Sequence, residues 1–266
     1  MDRNLLRLIL LFVFTFGLLA FYSFLPKPVS FWGIEIKQSG IRQALNQDGE
    51  TEEVIPFDSL RKDSLQKDSV PVPAKPQMDS TSQKILLIGD SMLEGLMLRM
   101  QDYVEHNGHT LQVVIWYSAT SKWYGSTDTL THFLKKYGPD YVMLVLGANE
   151  LFIRDIIKRR DKYVKHILRQ IGDRKFIWIG PPNWKDDTGI NELILKNVGK
   201  GRYFPSKDLT FKRYSDGAHP TRTSAAKWMD SVATWIMRES RYPILLEEPD
   251  KKRSRRPHLE ILQPLH

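Results

Sequence analysis

The chain has 266 residues and a mass of 31.0 kDa, with 41% hydrophobic and 26% charged residues, which fits one ordinary domain with additions and excludes a wholly disordered protein. It has no cysteine, so a disulfide-stapled scaffold, thiolate catalysis and Cys-ligated zinc or iron–sulfur centres are excluded. Lys+Arg 39 less Asp+Glu 31 leaves a net charge of +8, a balance suited to an anionic polymer, an anionic membrane surface or nucleic acid.

Residues 5–25 form an almost unbroken apolar run, LLRLILLFVFTFGLLAFYSFL. About 20 apolar residues span a bilayer as a helix. Arg3 and Arg7 on the near flank favour a cytoplasmic N-terminus, and Tyr22, Pro26, Pro28 and Trp32 suit the exit side. No small-x-small cleavage site follows, so residues 1–30 are expected to be an uncleaved transmembrane signal anchor. Residues 31–83 read as a juxtamembrane segment followed by a disordered linker, polar from Asn46 onward and closing with Pro71, Pro73 and Pro76.

From residue 84 the pattern alternates. Lys84–Gly89 is a short apolar run closed by glycine, the pattern of a strand buried on both faces. Residues 92–107 have helical spacing and stop at Gly108. Residues 111–117, 141–146 and 176–179 are further strands, separated by helices over 127–137 and 153–171. A short helix over 190–197 and a last helix over 221–238 follow. This order predicts an α/β domain over 84–240, with a central parallel sheet and helices on both faces. Residues 241–266, with the run Lys251 to Arg256, are expected to be a basic, disordered tail.

In such sheets the functional residues gather at the carboxyl ends of the strands. After the first strand stands Gly89-Asp90-Ser91, a serine at a strand-to-helix turn whose N–H lies at a helix N-terminus. Taken alone, a helix cap completed by Glu94 is the better reading of the same residues. After the third strand stands Gly147-Ala148-Asn149-Glu150, where the asparagine amide can donate to an oxyanion. Before the last helix stands Asp216-Gly-Ala-His219-Pro220, an acid and a histidine three residues apart. The carboxylate can hold one ring nitrogen and leave the other for a nucleophile.

Together and in this order, the three pieces resemble the SGNH (GDSL-type) hydrolase family over about residues 84–239. The resemblance implies a flavodoxin-like three-layer α/β/α sandwich, here preceded by the transmembrane helix and linker. It implies Ser91 as nucleophile, His219 as general base and acid, and Asp216 as the residue orienting His219. It implies an oxyanion hole from the Ser91 N–H, the Asn149 side chain and a donor after the second strand, for which Gly125 and Ser121 are the two candidates. Glu150 stands where the family usually has Asp. The family's chemistry needs no metal and no cofactor.

The substrate expected from this is an O-acylated carbohydrate or another ester, with Trp123 and Trp184 as candidate sugar-binding rings. An enclosing cell envelope follows from the anchor: the cytoplasmic (inner) membrane, single-pass, with the C-terminal domain on the periplasmic side. Membrane-anchored relatives of this kind imply a membrane-bound O-acyltransferase as a possible partner. The reaction is ester hydrolysis or, alternatively, acetyl transfer within a polysaccharide O-acetylation system. A catalytically inactive scaffold or anionic-polymer binder is the other class. No helix-turn-helix, RNA-recognition or zinc-finger signature is present, and a nucleic-acid partner is not expected.

Overall fold

The computed structural model describes residues 76–250 and 256–265, together with Ser30–Phe31 and Ile34–Glu35. The chain divides into two units, Met1–Val70 and Pro71–His266. In the first, Ser30–Phe31 pairs antiparallel with Ile34–Glu35. The expected anchor and most of the expected linker lie outside the described residues. Among the described residues, no helix is long and apolar enough to cross a membrane.

The second unit is built on strands β1 (Lys84–Gly89), β2 (Thr110–Trp116), β3 (Tyr141–Val145), β4 (Lys175–Ile179), β5 (Tyr203–Phe204) and β6 (His258–Leu262). They form one six-stranded sheet in the order β5-β4-β3-β1-β2-β6, parallel throughout. The helices are α1 (Leu93–Asn107), α2 (Ser121–Ser126), α3 (Thr129–Tyr137), α4 (Ile156–Ile171), α5 (Ile190–Val198) and α6 (Arg222–Arg238).

Side chains alternate across the sheet with the period of a strand. Ile85 and Leu87 of β1, with Val113, Ile115, Met143 and Val145, face α1 and α6. Leu86 and Ile88, with Val114, Leu144 and Trp178, face the layer of α2 to α5. Both faces are covered, which is why the strands read as continuous apolar runs rather than alternating ones. The result is a three-layer α/β/α arrangement. Strand β1 lies between β2 and β3, so the chain order reverses there and leaves a crevice at the carboxyl ends. Gly89 ends β1 at a close approach: a Cβ there would come 1.8 Å from the Val145 carbonyl oxygen.

Two expected boundaries move. Residues 79–83 are part of the domain, not linker. Asp79 bridges in parallel to Ile244 and its carboxylate holds Lys175 at 2.7 Å, while the Gln83 N–H donates to His109. Residues 241–250 and 256–265 of the tail also belong to the domain, while 251–255 of the basic run lie outside the described residues. Ile244 and Leu246 are fully buried against α1 and α6, and His258–Leu262 adds an edge strand beside β2. The polar composition of 241–266 hides two short apolar patches, Ile244-Leu-Leu246 and Leu259-Glu-Ile-Leu262, each long enough to fill a gap at the sheet edge. Helix α2 and strand β5 also lie where no element was expected; six and two residues leave almost no periodicity to read.

Candidate active site

The turn after β1 does not form the capping box. Helix α1 begins at Leu93 with no side-chain cap at Met92, and Glu94 meets Ser91 only through its backbone N–H, 3.1 Å from the Ser91 carbonyl. Asp90 takes the local role instead: its carboxylate accepts from the Met92 N–H at 3.0 Å. That frees the Ser91 side chain, whose hydroxyl lies 2.8 Å from His219 Nε2. The Ser91 N–H donates to no group among the described residues.

His219 comes from the turn before α6. Its Nδ1 is 2.7 Å from an Asp216 carboxylate oxygen. The other Asp216 oxygen accepts from the backbone N–H groups of Ala218 (2.8 Å) and His219 (3.0 Å). With the proton on Nδ1, the ring donates to Asp216 and Nε2 accepts from the Ser91 hydroxyl. The imidazole and the two backbone donors hold the Asp216 carboxyl down at about 2. Arg213 fastens this turn to the loop after β4, donating to the carbonyls of Ala218, Pro182 (3.1 Å) and Asn183 (2.7 Å).

The third strand end is a 3₁₀ turn, Ala148–Glu150, entered through Gly147 at φ +126°, a backbone conformation that glycine tolerates. Asn149 donates from Nδ2 to the Ala119 carbonyl at 2.9 Å, which fixes the amide plane and leaves a second N–H on the same nitrogen. Asp90 is buried between the first and third strand ends. Burial pushes its carboxyl up to about 7, against the opposing pull of the Met92, Ala148 and Gly147 N–H groups.

Neither candidate for the second-strand donor has an N–H to offer. Ser121 is fully buried and gives both its N–H (2.7 Å) and its hydroxyl (2.9 Å) to Glu150. Gly125 sits inside α2, where a Cβ would press on Tyr163 at 2.6 Å; it is a helix-packing glycine. The spacing YSATSKWYG offered both residues because α2 itself carries no recognisable signal. Glu150, by contrast, is held by several groups at once. It is unexposed and also accepts from Arg160 Nε at 2.6 Å. Burial raises its carboxyl, against the opposing pull of Ser121 and Arg160.

The two tryptophans part company. Trp123 lies in α2 with its ring 5.4 Å from that of Trp116, packed on the α2–α5 side of the core. Trp184 lies at the strand ends and donates from Nε1 to the Ala148 carbonyl at 3.0 Å, next to Asn149. Phe152, which sequence reasoning passed over, stands edge-on to Trp184 and is 55% exposed. Among the described residues, no group of three His, Asp or Glu side chains is placed to hold a metal ion.

No family model and no curated protein matches the chain. Among solved structures it is similar to the psychrotrophic esterase EstA from Pseudoalteromonas sp., at 17% identity and a TM-score of 0.42, over 57% of this chain and 98% of that one. It is similar to the family 3 carbohydrate esterase of Clostridium thermocellum, at 18% and 0.43, over 58% and 94%. It is also similar to the periplasmic domain of a lipopolysaccharide acetyltransferase from Salmonella ser. Paratyphi A, at 16% and 0.31, over 63% and 67%.

Proposed function

We propose that the protein is a serine acyl hydrolase or acyltransferase of the SGNH type, acting on O-acylated glycans of the cell envelope. The observation that carries this reading is the continuous path from Ser91 Oγ to His219 Nε2 (2.8 Å) and from His219 Nδ1 to Asp216 (2.7 Å). A capping role for Ser91 does not require it.

His219 takes the Ser91 proton as the hydroxyl oxygen attacks an ester carbonyl carbon. The carbonyl oxygen gains the negative charge, opposite the Ser91 N–H and the remaining N–H of Asn149. The C–O bond to the alcohol then breaks as His219 returns its proton to the leaving oxygen, and an acyl-Ser91 remains. Water resolves it in a hydrolase; a sugar hydroxyl resolves it in a transferase. Asp216 stays a carboxylate throughout and stabilises the imidazolium. Because its folded value is depressed, its contribution to stability is present above its ordinary value of 3.8 and fades only as pH falls toward about 2.

The apolar run at 5–25 supports a single-pass anchor in the cytoplasmic membrane with the domain outside, where O-acetylated glycans and a membrane-bound O-acyltransferase partner would be met. The test is a fluorophosphonate label on the full 266-residue chain in detergent. Ser91 should be the labelled residue. Ser91→Ala should lose both label and ester turnover, and Asp216→Asn should lose about 10⁴-fold in kcat, as in comparable triads. Wild-type turnover by Ser91→Ala would discard the reading.

A further inference from the structure

The strand-end face holds a second feature beside the Ser91–His219–Asp216 line. Phe152, Arg154, Lys185, Asp186 and Thr188 line an open depression of about 470 Å³. Its two walls are pinned together. The Thr188 N–H donates to the Leu151 carbonyl at 3.0 Å, and the Thr188 hydroxyl reaches the carbonyls of Leu151 (2.9 Å) and Ile153 (2.7 Å). It is also joined to the candidate site on both sides. Trp184, next in the chain to Lys185, bonds to the residue before Asn149, and Arg213 ties the His219 turn to Pro182 and Asn183 of the same loop.

Its chemistry combines aromatic surface with unpaired positive charge. The Phe152 and Trp184 rings meet at 6.4 Å and 72°, and Phe152 is the most exposed of the large apolar side chains described. Lys185 Nζ lies 4.7 Å from the Trp184 ring centre and 5.4 Å from that of Phe152. The two cations of the lining, Arg154 and Lys185, make no ion pair with any described residue. The acids beside them are Asp155 and Asp186. Asp187 is turned away, accepting from the N–H groups of Gly189 and Ile190, both at 2.8 Å.

We infer that this depression binds the glycan chain bearing the ester, and that the chain is acidic. Resting on the proposed acyl-transfer reading, it deepens that reading by naming the substrate class. A sugar ring buries its C–H face on Phe152, as apolar faces do on aromatic side chains. A ring carboxylate pairs with Lys185 and Arg154 in charge-assisted hydrogen bonds. A neutral glycan would use the aromatic surface and leave the cations unpaired.

Two arms separate this inference from the reading it rests on. In the first, the full chain carrying Ser91→Ala is titrated with polygalacturonate, neutral mannan and anionic phospholipid vesicles. Polygalacturonate should bind about tenfold more tightly than mannan, which meets only the aromatic surface. Its affinity should fall about tenfold between ~50 and ~500 mM salt, because screening acts on exposed pairs. The added substitutions Arg154→Ala and Lys185→Ala should weaken it about tenfold more. Equal binding of both polymers, binding of vesicles alone, or an unchanged double variant would overturn the inference.

In the second arm the same double variant, with Ser91 intact, should keep wild-type kcat/KM on a small neutral aryl acetate. On O-acetylated polygalacturonate its KM should rise about tenfold with kcat held, the pattern of lost uniform binding. If the wild type ignores the aryl acetate, the acyl-transfer reading fails while the binding arm still decides the subsite. If it cleaves the aryl acetate and does not bind polygalacturonate, the inference alone fails.

Discussion

Glu150 accepts both the backbone N–H and the hydroxyl of Ser121, at 2.7 and 2.9 Å, from a fully buried position. Beside it, Asn149 donates to the Ala119 carbonyl. The end of the second strand is thus laced to the end of the third by neighbouring residues of each. The lacing ties the turn that carries the Asn149 amide to the end of the second strand.

Glu150→Ala removes one partner of a buried ion pair and strands both Arg160, 13% exposed, and the Ser121 N–H. Breaking such pairs costs about 3–5 kcal/mol. Glu150→Gln keeps an acceptor for Ser121 and should lose less. Chemical denaturation of the two variants checks the order. Equal, small losses would mean that the lacing contributes nothing.

Asp90 gives a pH signature. Its carboxyl is raised from 3.8 to about 7, so between those values the folded state holds a proton that the unfolded chain releases. Stability from this group is therefore full below 3.8 and is lost as pH rises through about 7. Asp90→Asn cannot titrate. Its thermal midpoint, relative to wild type, should shift upward as pH goes from ~4 to ~8. Midpoint curves that run parallel over that range would contradict the burial argument.

Arg213 is a positioning residue for the His219 turn. Arg213→Ala should lower kcat and cost about 1–3 kcal/mol, since the carbonyls of Ala218, Pro182 and Asn183 lose a charged donor together. Arg213→Lys can reach one of these carbonyls at a time and should recover stability more than turnover. If lysine restores both fully, the fork geometry is irrelevant and only the charge matters.

The sheet was legible because four of its strands are buried on both faces: runs such as Ile85-Leu-Leu-Ile88 admit few other readings. The Asp216–His219 turn and the Ser91 turn were each legible locally, from a three-residue spacing and a strand-end glycine, whereas their meeting across 128 positions was expected only from the resemblance. Residues whose role depends on distant contacts were not legible. Ser121, one of the two candidate backbone donors, gives its N–H to Glu150, 29 positions on, a contact no local pattern reveals. The edge strand at 258–262 was hidden because its pairing with β2 is set by a partner about 146 residues away, as in Gln112 against His258. Arg213 carried no signal at all, since its three acceptors are backbone carbonyls that any sequence provides.

Asn149 commits one amide hydrogen to Ala119, and the other is the side-chain donor available to an oxyanion. Asn149→Ala should lower kcat by about 100- to 1,000-fold, the size of one lost oxyanion donor, and leave KM nearly unchanged, because the charge it meets exists only in the transition state. Fluorophosphonate labelling of Ser91 should slow in step, since the attacked phosphoryl oxygen develops charge in the same place. The lost bond to Ala119 adds about 0.5–1.5 kcal/mol of instability, so turnover is to be compared well below the thermal midpoint of the variant. Asn149→Asp keeps the size and removes both donors. It should be at least as slow as alanine, because a carboxylate there repels the oxyanion. Wild-type turnover by Asn149→Asp would show that Asn149 only holds the loop, and would leave the Ser91 N–H as the sole donor drawn from these residues.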